Sequence, residues 1–269
     1  MLVDDLIDSD RYDLRDESSI RRCLESFRHD GVCVLPGFLT DEAVDALCRE
    51  SDRLAPLAHR SSTTASPYLA PVDESYPEGH PRRTVSASSV EVVAYDQFPT
   101  DSPLRRLYES DDLLDFVRRC LGLDVLHRYA DPFGALNLAI MRDGDRLGWH
   151  FDMTDFVVSI AIQTSDVGGD FENAKQIRSV TDEHYADVAE VLNGRRPDRV
   201  RTEPMTPGTL MLFNGRWSMH RVTEIHGPRP RYVALLAYDT EPGTDSSETL
   251  KLSRYGRLPA GAHTRGIDS

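Results

Sequence analysis

His150 and Asp152 stand two residues apart, and His220 and Arg231 follow further along the chain. In an extended strand the side chains at i and i+2 leave the same face. The imidazole of His150 and the carboxylate of Asp152 can therefore reach one ion together. A second strand carrying His220 completes a set of two nitrogens and one oxygen. Three such donors on one side of a metal leave positions open opposite them, whereas a four-donor closed site is structural. A His-x-Asp pair also arises by chance, so its company decides its meaning.

Arg231 is the most telling companion. It opens an apolar run over 231–238 and shares a strand face with Val233 and Leu235. A guanidinium placed there can grip a carboxylate through two parallel hydrogen bonds. Two histidines and one carboxylate with open positions form the facial arrangement of non-haem Fe(II) oxygenases. Such an ion must still take a bidentate 2-oxo acid and then dioxygen. A distal arginine suits a 2-oxo acid with a second carboxylate, so the expected set is Fe(II), 2-oxoglutarate as co-substrate, and O2. His226, in the Gly227-Pro228 turn, rivals His220 and reads as a solvated loop residue. Arg229 rivals Arg231 but does not open the strand. His29, His59, His80, His127, His184 and His263 match no ligand spacing and read as surface or structural.

Asn137 alternates with Ala135 and Ala139, which turns it towards the interior. A contact to the co-substrate and satisfaction by the backbone are both open to it. Trp149 reads as packing, and Gly168-Gly169 as a turn or a close strand approach. Met153, Asp155 and Arg216 are candidate substrate contacts, with packing or surface roles equally open.

The elements that must position these residues divide into two textures. Residues 18–29 read as a helix with Ile20, Leu24 and Phe27 on one face, stopped by Gly31. Val32–Leu35 reads as a short buried strand, and Thr40 or Asp41 caps the next helix, whose Val44, Leu47 and Leu54 share a face. From 60 to 100 a Ser-, Thr- and Pro-rich stretch without sustained period predicts a lid-like loop with short strand pieces. Pro103 begins one helical segment that ends at Gly122. After it, the runs 134–141, 156–163, 209–213 and 231–238 are punctuated by Asp143-Gly144, Gly168-Gly169, Pro207-Gly208 and Gly227-Pro228. Short strands with such turns predict a sandwich or barrel, interrupted by a helical insert at 182–194 with Tyr185, Val188 and Leu192 inward. The expected layout is a helical part at 1–123, a β-rich core at 124–241 holding every metal candidate, and a peripheral tail at 242–269.

The bulk numbers exclude several classes. The 269 residues, 39% apolar and 28% charged, describe a globular chain able to bury a substantial core. A formal charge of −14 with dispersed Lys and Arg opposes nucleic-acid binding. No apolar run approaches a membrane span, and the acidic start lacks the layout of a signal peptide, so the cytoplasm is the expected compartment. Cys23, Cys33, Cys48 and Cys120 form no Cys-x-x-Cys pair and are expected to be reduced. A small-molecule partner is expected; oligomeric state stays open, a homodimer included.

Taken in order, Leu147–Asp152, Gly168–Glu172, Pro207–Gly215, His220–Thr223 and Arg231-Tyr232 resemble the Fe(II)/2-oxoglutarate-dependent dioxygenases, as does the lead-in from Gly31 to Leu39. Through Gly134–Asn137 and Asn214-Gly215-Arg216 the chain looks most like the bacterial free-amino-acid halogenases and hydroxylases related to the lysine halogenase. The resemblance implies a mainly β fold with flanking helices around a double-stranded β-helix (jelly roll). It implies His150, Asp152 and His220 as iron ligands and Arg231 as the receiver of the 2-oxoglutarate C5 carboxylate. Related halogenases carry Gly or Ala at the carboxylate position, so Asp152 here implies hydroxylation, with a free amino acid or derivative as substrate. Desaturation or ring closure would use the same chemistry. A jelly-roll metalloenzyme without 2-oxoglutarate is opposed by Arg231, and a non-catalytic binding protein by the complete triad.

Overall fold

The structure, a computed structural model, describes residues 3 and 5–260. Its larger sheet is antiparallel, in the order β1 (Val32–Leu35), β10 (Leu210–Phe213), β7 (Val157–Gln163), β12 (Arg231–Leu236), β5 (Leu136–Met141), β3 (Ser86–Val93) and β2 (His59–Ala65). The smaller runs β6 (Leu147–His150), β11 (Met219–Val222), β8 (Phe171–Ala174), β9 (Val200–Glu203). A two-stranded ribbon joins β4 (His127–Arg128) to β13 (Tyr238–Asp239). This is the expected mainly β jelly roll.

Period-2 alternation assigns the two faces of the large sheet. Leu138, Ile140, Val158, Ile160, Leu210, Leu212 and Ala234 point outward to the helices, where they join Ile20, Leu47, Leu107, Leu113, Phe116 and Val117. Met141, Ala161, Met211 and Phe213 point inward and meet Phe171 and Val222 from the small sheet. Both faces of the large sheet are therefore covered, and each fully buried Leu, Ile or Val contributes about 1.5–3 kcal/mol.

The outer helices start and stop where local chemistry directs. The Asp16 carboxylate accepts from the N–H groups of Ser18 and Ser19 to cap α1 (Glu17–Asp30), and Gly31 ends it at φ 68°. Thr40 caps α2 (Asp41–Leu54). The segment from Pro103 to Gly122 is two helices, α3 (Pro103–Glu109) and α4 (Asp111–Leu121). Ser110 breaks it because its extended backbone lets its hydroxyl accept from Leu113 N–H and cap α4.

Other expectations change. Within 60–100, β2 and β3 pair over seven residue pairs and extend the large sheet. Their Ser- and Thr-rich sequences hide this because the outer strand is half solvated and needs no apolar face. The helical insert narrows to α5 (Tyr185–Leu192), which buries Val188 and Val191. The tail carries α6 (Glu248–Tyr255), packed on β2 and β3 with Tyr255 and Lys251 buried; residues 261–269 lie outside the described residues. Cys23 and Cys33, expected as free thiols, form a disulfide with Cα atoms 5.5 Å apart. The turn at Gly31 folds β1 back along α1 and brings them together. Among the described residues no helix is long and apolar enough to cross a membrane.

Candidate metal centre

His150 ends β6 and His220 lies in β11, and the two are direct partners in the antiparallel register. Such pairs place side chains on the same face at close range, and the ring centroids are 4.2 Å apart. Asp152 follows β6 by two residues, held by its own N–H donating to the Gly215 carbonyl at 3.0 Å. The preceding Phe151 N–H donates to the Pro67 carbonyl at 2.7 Å. Asp152 Oδ2 lies 3.3 Å from His220 Nε2, and Oδ1 lies 3.8 Å from His150 Nε2. One donor atom from each of the three residues falls within 4.8 Å of the others.

Backbone carbonyls orient both imidazoles. His150 Nδ1 is 2.7 Å from the Gly148 carbonyl, and His220 Nδ1 is 3.0 Å from the Ser218 carbonyl. A carbonyl only accepts, so each Nδ1 donates to it and each Nε2 is left facing the carboxylate. Burial holds the His220 imidazole down at about 4, with Asp152 pulling the other way. Phe171 and Phe213 pack against its ring, centroids 5.5 and 4.8 Å away. Asp152 Oδ2 is buried without a hydrogen-bond donor. A buried carboxylate oxygen without a donor is costly until a cation reaches it, and two imidazole nitrogens with one carboxylate oxygen suit a divalent transition metal. The residues fit the ion.

Arg231, first residue of β12, is 7% exposed. Among the described residues its guanidinium makes no hydrogen bond and no ion pair. Burial pulls it down to about 10, opposed by Asp170. Gly169 (φ +73°) lets the Arg231 stem pass: a Cβ there would lie 3.0 Å from Arg231 Cδ and 2.6 Å from Ser165 Oγ. A buried cation with no carboxylate bonded to it is a receptor for one. The rivals His226 and Arg229 are both exposed.

Asn137 requires a correction. It is buried, but its Nδ2 donates to the Phe133 and Leu136 carbonyls at 2.7 and 2.8 Å, and its Oδ1 accepts from the Tyr255 hydroxyl at 2.8 Å. Both amide hydrogens are used, so Asn137 ties α6 to the core and is not available as a donor to a co-substrate. Arg216 binds the Asp155 carboxylate and the Met153 carbonyl, so these candidate substrate contacts satisfy one another. Two residues that the sequence did not single out pack on Phe151, the neighbour of His150 and Asp152. Tyr68 packs on Phe151 at 5.4 Å, and the Arg178 guanidinium lies 4.0 Å over the same ring. The hydroxyls of Ser66, Tyr68 and Ser159 are buried without partners. No local pattern marks them, because long-range packing alone sets their surroundings.

Comparison with known proteins follows the same line. The chain overlays on a 2OG-Fe(II) oxygenase-family oxidoreductase from Burkholderia pseudomallei with TM-score 0.53 at 16% identity, covering 85% of this chain and 94% of that one. HygX from Streptomyces hygroscopicus, solved with nickel, 2-oxoglutarate and hygromycin B, gives 0.54 at 16%, covering 83% and 88%. The epimerase SnoN from nogalamycin biosynthesis, solved with Fe3+, alpha ketoglutarate and nogalamycin RO, gives 0.55 at 17%, covering 83% and 84%. At such identity the shared property is the fold. No curated protein matches the chain. The family model described as Halogenase D matches residues 15–253, nearly the whole length, and the chain belongs to that family.

Proposed function

We propose that the chain is an Fe(II)- and 2-oxoglutarate-dependent oxygenase that hydroxylates an unactivated C–H bond of a small molecule, a free amino acid or close derivative, releasing succinate and CO2. His150, Asp152 and His220 hold the iron, and Arg231 receives the far carboxylate of 2-oxoglutarate. One observation carries this reading: the protein keeps a buried Asp152 carboxylate oxygen without a hydrogen-bond partner and, among the described residues, a buried Arg231 without a hydrogen bond or ion pair. Each is costly until a ligand of the other sign arrives, a cation for the first and a carboxylate for the second.

Bound iron with its 2-oxo acid supplies dioxygen activation coupled to oxidative decarboxylation. The chain's own residues prepare the site. The Gly148 and Ser218 carbonyls hold both imidazoles by Nδ1 and leave each Nε2 turned toward the metal position. Arg231 sets the direction and length of the co-substrate, and Phe171 and Phe213 exclude water from the His220 side.

The family's description makes halogenation the second reading. With Asp152 beside His150 and His220, the chain would supply three donors to the metal, and the carboxylate would stand where a halide would otherwise bind. Asp152 therefore favours hydroxylation. An amino-acid substrate is supported by the resemblance carried by Gly134–Asn137 and Asn214–Arg216. The test is succinate formation from 2-oxoglutarate by Fe(II)-loaded protein across an amino-acid panel, with products read by mass spectrometry. A product heavier by one oxygen is expected. A chlorinated product would overturn the hydroxylase reading, and full activity in an Asp152→Ala, His220→Ala double variant would overturn the site.

A further inference from the structure

Gly215 lies in the turn between β10 and β11, and its φ falls outside the left-handed region that favours glycine. Its backbone would accept alanine. Space forbids it: a Cβ at 215 would lie 1.8 Å from Asp152 Oδ2, 2.7 Å from Asp152 Cγ and 2.9 Å from Asp152 Cβ. The three nearest atoms all belong to one side chain. Rotating the carboxylate about its Cβ–Cγ bond relieves only the oxygen contact. The Cγ contact demands a new χ1, and the Cβ contact a small shift of the backbone.

That backbone is tied on several sides. Asp152 N–H donates to the Gly215 carbonyl at 3.0 Å, and Phe151 N–H to the Pro67 carbonyl at 2.7 Å. Arg216 grips the next turn through the Met153 carbonyl and the Asp155 carboxylate. Arg178 Nε donates to the Arg216 carbonyl at 2.7 Å, and Asn214 N–H to the Gly31 carbonyl at 2.7 Å. With both segments pinned, the backbone gives by only a few tenths of an ångström, the side chain yields the rest, and the carboxylate swings away from His150 and His220.

We propose that Gly215 is a positioning residue for the metal: it is the space in which the Asp152 carboxylate sits. Glycine at 215 and a carboxylate ligand at 152 act as one steric unit, and a chain without a carboxylate at 152 has no such need of glycine at 215. This inference rests on reading His150, Asp152 and His220 as the metal ligands.

The test is a double-mutant cycle of wild type, Gly215→Ala, Asp152→Ala and the double variant, with Co(II) as probe and no co-substrate. Affinity and the visible Co(II) spectrum are recorded with the unfolding midpoint. Gly215→Ala is expected to weaken Co(II) binding at least about tenfold, with a spectrum approaching that of Asp152→Ala. In the Asp152→Ala background, where only the Cβ contact remains, it is expected to change affinity less than about twofold and to lower the midpoint less than it does beside Asp152. Wild-type affinity in Gly215→Ala would overturn the inference, as would an equal loss, or unfolding, in both backgrounds. Absence of Co(II) binding by wild type would instead overturn the metal reading beneath it.

Discussion

Replacing Arg231 with Met separates function from stability. At pH 7 the guanidinium is protonated in both folded and unfolded chains, and burial in the folded state pulls it down to about 10. At about 1.4 kcal/mol per pK unit, the folded protein carries a penalty of about 3 kcal/mol for this cation. The folded-state value is lowered, so the penalty is fully present through neutral pH and is relieved only above about 10, as stability rises with pH there. Methionine keeps the unbranched stem and removes the charge. Metal-free, ligand-free Arg231→Met is therefore expected to be more stable than wild type by about 1–3 kcal/mol, at roughly 2–4 °C in Tm per kcal/mol. Binding of 2-oxoglutarate to the Ni(II)-loaded protein moves the other way. Loss of one partner of a desolvated charge pair costs about 2–5 kcal/mol, or roughly 30- to several-thousand-fold in Kd. Thermal unfolding reads the first effect and titration calorimetry the second. A ligand-free variant melting several degrees below wild type would show that Arg231 has a native partner, refuting the reasoning.

Three further outcomes are expected. Tyr255→Phe removes the donor to Asn137 Oδ1 and lowers stability by about 1–2 kcal/mol in denaturant titration, with the KM for 2-oxoglutarate unchanged; a raised KM would return Asn137 to the co-substrate. Gly169→Ala strains a left-handed residue and crowds the Arg231 stem, costing about 1–3 kcal/mol and raising the KM for 2-oxoglutarate. Reduction of Cys23–Cys33, ten residues apart, lowers stability by about 3 kcal/mol, read as a fall in Tm that is absent in Cys23→Ala.

The metal candidates were legible because each signal is short-range. His150 and Asp152 are related by the strand period, His220 and Arg231 each lie in or beside an apolar run, and Thr40 and Gly31 mark helix ends by local hydrogen bonding. The β2–β3 hairpin was not legible, since Ser61–Thr64 and Ser86–Ser89 show no apolar alternation. The Cys23–Cys33 bond was missed for a different reason: compartment and spacing say nothing about a helix folding back on the next strand.

By itself the sequence determined which chemistry this chain carries: its donor types, their period along a strand, and an arginine that opens the last long strand. Tertiary structure decided which polar groups are left unsatisfied. Asn137 is spoken for because Tyr255, 118 residues away, donates to it. Arg231 remains available because none of the described residues pairs with it, and Asp152 holds its place because Gly215 leaves it room. Availability depends on what packs nearby from distant parts of the chain, and no local pattern encodes that.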